Sequence, residues 1–106
     1  MDRETFNQEV KKQFIRCERV LNKKAEYYAL GVDRLDQFKK GAALLNCDPK
    51  EVLGGFMLKH VTRLFDMIHN PFNEKTSKND WDESITDLMN YLLLLQGLLE
   101  EEREDE

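Results

Sequence analysis

Phe6, Val10, Phe14, Cys17, Leu21, Ala25 and Tyr28 follow one another in steps of four, four, three, four, four and three. That spacing keeps one face of an α-helix apolar for about 25 residues and excludes a strand, whose side-chain period is two. Gly31 reads as the stop. A shorter second helix carries Leu35, Phe38, Ala42 and Leu45. Asp48-Pro49-Lys50-Glu51 is a helix start, with a capping aspartate, a proline at the first helical position and an acid three residues after the cap. The third helix runs through Val52, Phe56, Val61, Leu64 and Ile68 to Asn70-Pro71, where proline stops it.

Residues 71–79 read as a polar loop. Asp80-Trp81-Asp82-Glu83 then opens a fourth helix by the same capping logic, with Ile85, Leu88, Met89, Leu92, Leu95 and Leu99 on its apolar face. Tyr91 to Leu95 is apolar on all sides, and Leu98 and Leu99 extend it. A helix of that kind lies inside a bundle or between subunits. The expectation is an all-α chain: a four-helix bundle-like domain over residues 1–99, an acidic tail over 100–106, and a homo-oligomer, first of all a dimer. Self-association also fits the modest core that 106 residues can build.

The charge balance narrows the function. The chain's 21 acids and 16 bases give a net −5, but residues 100–106 hold six of the acids and one base, leaving 15 of each. A neutral body lacks the basic surplus of a dedicated duplex-DNA binder. Five glycines and two prolines are too few for a turn-rich barrel or sandwich. Cys17 and Cys47 form neither a disulfide framework nor a metal-type pair, and Cys17 sits on the apolar stripe as a small core residue. The first 20 residues are too charged for a signal peptide, and no apolar run reaches membrane-spanning length. A cytoplasmic protein is expected.

No glycine-rich phosphate loop or nucleophile elbow is present. His60 and His69 stand nine apart with no acid pattern for zinc, and His60 reads as a helix-face histidine beside the core. Three sets of residues carry chemistry. Glu83, Asp87 and Asn90 share one face of the fourth helix, with Tyr91 alongside. Two carboxylates one turn apart can hold Mg²⁺, or accept from a ligand's amino and hydroxyl groups. At the end of the first helix stand Lys23, Lys24, Glu26 and Tyr27-Tyr28, followed by Asp33 and Arg34; aromatics beside cations suit a base and its phosphate. Lys59 and Arg63, four apart on the third helix, suit an anion or an acid across the bundle. The line Lys12, Arg16, Arg19, Lys23 reads as a hydrated face. The expected ligand site joins Lys23, Glu26, Tyr27, Lys59, Arg63, Glu83, Asp87 and Asn90, with Glu83 and Asp87 as candidate metal ligands.

Three segments, KKAEYYALGVDRLDQFKKGAALL, FMLKHVTRLFDMI and WDESITDLMNYLLLL, together resemble small phage and prophage proteins related to the nucleotide-modification-associated domain. More distantly they resemble MazG-like all-α nucleotide pyrophosphatases. The resemblance covers roughly residues 22–99. It implies a helical dimer or tetramer with nucleotide-sized pockets at subunit contacts. The chain departs from the hydrolases, which use Glu-x-x-Glu and Glu-x-x-Asp pairs around Mg²⁺. Its last helix has Glu83-x-x-x-Asp87, and its third helix has Lys59 and His60 where acids would be wanted. Only Glu26, Asp33 and Asp36 could make up the number. The expectation is a phage-type protein that binds a nucleotide or nucleotide-derived signal without turnover, sequestering a host immune messenger. Two further readings are a Mg²⁺-dependent nucleoside-triphosphate pyrophosphohydrolase and a protein inhibitor of a host defence nuclease, its acidic tail imitating nucleic acid.

Overall fold

A computed structural model describes residues 1–28, 31–70 and 76–104, the side chain of Tyr28 excepted. It holds four helices in chain order, α1 (Arg3–Tyr28), α2 (Asp36–Leu45), α3 (Pro49–His69) and α4 (Lys78–Glu104), and no strand among the described residues. The all-α expectation holds. None of these helices is long and apolar enough to cross a membrane. Pro71, read as the stop of the third helix, lies outside the described residues, as does most of the expected 71–79 loop.

Local chemistry accounts for the helix ends. The Asp48 carboxylate accepts from the Lys50 N–H at 2.8 Å with Pro49 in the first turn, as its sequence implies. α2 closes on Asn46 in the left-handed region (φ 54°), whose N–H reaches the Ala42 carbonyl. The start of α4 differs from expectation. The cap is Ser77, whose Oγ accepts from the Asp80 N–H at 3.1 Å, while Asp80 Oδ2 accepts from the Ser77 N–H at 2.8 Å. Asp80 is thus the third-position partner of a reciprocal cap rather than the cap itself, which leaves Glu83 free of any capping role. α4 also runs on through Glu104, so the acids at 100–104 are helical. Two of them tie down other elements: Glu101 meets Lys39 at 2.8 Å, and Glu102 pairs with Lys50.

α3 and α4 pack antiparallel, with Arg63 against Asp80 at 3.2 Å, Ser84 Oγ donating to Met67 Sδ at 3.4 Å, and Leu53 in the same cluster as Leu94 and Leu98. That cluster (Phe38, Leu53, Leu94, Leu98) is the centre of the fold, with Leu21, Leu35, Val52, Tyr91 and Leu95 packed on it. α2 lies against α3 so closely that a Cβ added to Gly41 would sit 2.9 Å from Val52 Cγ1, which is why that position takes glycine. α1 joins α4 through Gln13, whose Nε2 donates to Thr86 Oγ1 at 2.9 Å, and through buried Cys17 beside Met89.

The long apolar stripe of α1 is therefore used only in part. Cys17 and Leu21 are covered, but Phe6 remains 57% and Phe14 58% exposed. On α4 the outcome is also mixed: Leu94 and Leu98 are buried within the chain's own core, whereas Leu92 and Leu93 stay about half exposed (50% and 47%).

Candidate functional site

Four polar residues on α4 are buried: Ser84, Thr86, Asp87 and Asn90. Ser84 and Thr86 have partners in Met67 and Gln13. Asp87 is 6% exposed and is met by Lys24 Nζ at 2.8 Å and, more distantly, by His60 Nδ1 at 3.8 Å. Asn90 is 5% exposed, and neither its amide nitrogen nor its amide oxygen has a hydrogen-bond partner among the described residues. An unpaired buried amide is costly, and few survive in folded proteins without a reason.

Both side chains face a cavity of about 360 Å³ between α1, α3, α4 and the entry to α2. Its wall comprises Leu21, Lys24, Arg34, Gln37, Phe56, Lys59, His60, Asp87, Asn90, Tyr91 and Leu94. The volume falls at the low end of small-molecule sites, roughly 300–1,000 Å³, and an apolar lining with a few convergent polar groups is their usual character. The His60 and Tyr91 rings lie 5.0 Å apart, tilted by 41°. Arg34 brings a second orphan: its Nη1 is buried with no hydrogen-bond partner among the described residues, and burial pulls the guanidinium below its ordinary pKa. Asp33 sets the turn that places it, accepting from the Leu35 N–H at 2.9 Å and from Lys39 at 2.6 Å. Those hydrogen bonds, Lys39 first, also hold the Asp33 carboxyl below its usual range.

The imidazole of His60 is pushed below its ordinary 6.5, chiefly by burial, with Asp87 pulling the other way and Lys59, Lys24 and Arg63 adding to the depression. The fold thus favours neutral His60. That contribution to stability is present above the unfolded value near 6.5 and is lost as pH falls through the folded value. Its Cε1 proton should titrate with a midpoint below 6.5 in the native protein, and His60→Gln should flatten the fall in stability just below that pH. A midpoint above 6.5 would mean that Asp87 governs the ring instead.

Of the residues expected at the site, the fold brings Lys59, Asp87 and Asn90 to the cavity. Arg63 and Glu83 pair with each other at 3.5 Å, and Arg63 also holds Asp80. Lys23, Glu26 and Tyr27 are exposed on α1 and do not line it. Glu83 and Asp87, the candidate Mg²⁺ ligands, border a second hollow together with Asp82, and each meets a cationic side chain, Arg63 and Lys24 respectively. No group of three or more His, Cys, Asp or Glu side chains able to hold a metal occurs among the described residues.

Lys24, Arg34, His60 and Tyr91 also line the wall, and three of them could have been placed there from the sequence. Lys24 lies three residues after Leu21 on the apolar stripe, His60 four after Phe56, and Tyr91 four after Asp87. Arg34 precedes its helix and has no periodicity to place it. No protein-family model, characterised protein or solved structure matches the chain.

Proposed function

We propose that the chain binds a nucleotide or nucleotide-derived signal in this cavity and does not turn it over, as a phage-type protein sequestering a host immune messenger would. The observation that carries the binding is Asn90, held 5% exposed on the cavity wall with donor and acceptor both unfilled. A planar base edge presents that complement. Tyr91, Phe56 and His60 offer ring faces to a base, and Arg34 and Lys59 offer cations to phosphate. The reading without turnover rests on the acid count: among the described residues the cavity wall carries one carboxylate, Asp87, and Lys24 already neutralises it at 2.8 Å. Phosphoryl chemistry of the MazG-like kind needs several acids to place Mg²⁺.

The test is calorimetric titration with a panel of nucleotides, followed by mass spectrometry of the recovered ligand. At least one nucleotide is expected to bind and to be recovered intact, with or without Mg²⁺. No binding across the panel ends the proposal. Conversion of the ligand, abolished by His60→Gln, would make the neutral imidazole a general base and the protein an enzyme.

The same reading has two copies acting together through α1. The stripe that buries Cys17 and partly covers Leu21 continues through half-covered Val10 to Phe6 and Phe14, both exposed. Residues 2–9 carry a net −2 and residues 11–19 a net +3, so two α1 helices laid antiparallel place opposite charges together. Light scattering should give twice the 12.6 kDa chain mass, and Phe6→Ser with Phe14→Ser should return it to one. A single-chain mass for the unaltered protein at micromolar concentration would remove this surface from the proposal.

A further inference from the structure

Arg34 and Lys59 are cations that form no ion pair among the described residues, and both line the cavity. The α2–α3 contact explains why they share a wall. Gly41 lies on Val52, and Phe38 meets Phe56 edge-on at 6.2 Å, so residue numbers across this antiparallel pair rise on one side as they fall on the other. Arg34 stands in the turn just before α2 and lines the same cavity as Lys59 of α3. Lys24, by contrast, is spent on Asp87. The cavity wall thus carries two cations with no ion partner among the described residues, and its unfilled amide, Asn90, belongs to another element, α4.

We infer that the occupant is a nucleoside monophosphate whose single phosphate monoester sits between Arg34 and Lys59 while Asn90 takes the base edge. This rests on the nucleotide reading above and narrows it. A phosphate monoester carries about −1.5 to −2 at neutral pH, with a second pKa near 6. That matches two unpaired cations on one wall. A cyclic mononucleotide offers them one negative charge. A triphosphate brings more charge than the pair balances, and the described wall has no acid to spare for a metal. Arginine supplies a planar fork to two phosphate oxygens, and lysine a point charge to the third.

Calorimetry on the full chain, at one fixed salt concentration, compares four ligands sharing one base, in an adenine and a guanine series: nucleoside, nucleoside 5′-monophosphate, 3′,5′-cyclic monophosphate and triphosphate. The monophosphate should bind at least tenfold more tightly than the other three. Arg34→Gln and, separately, Lys59→Gln should each bring it down to the level of the cyclic form, whose own affinity should barely move. Lys59 is exposed, so its variant keeps the test valid even if Arg34→Gln unfolds. A cyclic form or triphosphate that equals or beats the monophosphate overturns this inference and leaves nucleotide binding standing. So does an equal loss for all four ligands in the Lys59 variant. No heat with any ligand defeats both.

Discussion

Asn90→Leu should make the protein more stable and at the same time abolish ligand binding. In the unliganded chain the Asn90 amide is 5% exposed with two unfilled hydrogen-bonding atoms, so the folded state carries its desolvation without the return that a partner would give. Such a group costs about 1–3 kcal/mol, and an apolar side chain of similar size removes that cost. The neighbours suit leucine: Leu94 lies one turn on along α4, and Leu21 and Phe56 share the cavity wall. A gain of about 1–2 kcal/mol would raise the melting temperature by roughly 4–15 °C in a domain of this size. The gain in stability is what separates a ligand group from a structural one. A structural amide with a partner would lose stability on truncation, whereas one kept for a ligand gains stability and loses function. Calorimetric melting and nucleotide titration of the same preparation check both halves. A variant less stable than the parent by more than about 1 kcal/mol would mean that Asn90 is held by the protein itself.

Spacing made the four helices and their order readable, because 3.6-residue periodicity survives in helices that are half solvated. It also brought Asp87 and Asn90 to one face correctly. It placed Glu83 on that face too, yet Glu83 lies one turn nearer the start of α4, where Arg63 of α3 claims it at 3.5 Å. Periodicity fixes the direction a side chain leaves its helix, whereas the partner waiting there depends on packing. Lys23 and Lys24 show how fine the distinction is. Adjacent residues differ by about 100° around a helix, which leaves one lysine in solvent and puts the other on Asp87. Arg34 stands in the turn before α2, so its place depends on how α2 docks, a tertiary fact with no local signature. The exposed upper half of α1 has the same origin: a stripe says that a face is apolar, and says nothing of how far the neighbouring helix extends along it.

Phe38→Ala should be the most damaging single truncation in the core. Phe38 is fully buried, it anchors a helix of ten residues, and it belongs to a four-residue central cluster with Leu53, Leu94 and Leu98. Removing a buried phenylalanine costs about 3–5 kcal/mol in transfer and cavity terms. A small domain has only about 5–15 kcal/mol in total, so the melting temperature should fall by at least roughly 12 °C. The loss also has a site-specific consequence. Phe38 against Phe56 docks α2, whose preceding turn carries Arg34, on α3, which carries Lys59, so a variant that still folds should bind an anionic ligand more weakly while keeping every cavity side chain. Phe38→Leu, which restores most of the volume but not the edge-on ring contact, should recover most of the stability and part of the affinity. Chemical denaturation of the three proteins, with nucleotide titration of those that fold, decides it. A cost below about 1 kcal/mol for Phe38→Ala would mean that α2 is not docked through this ring, and the placement of Arg34 would then need another anchor.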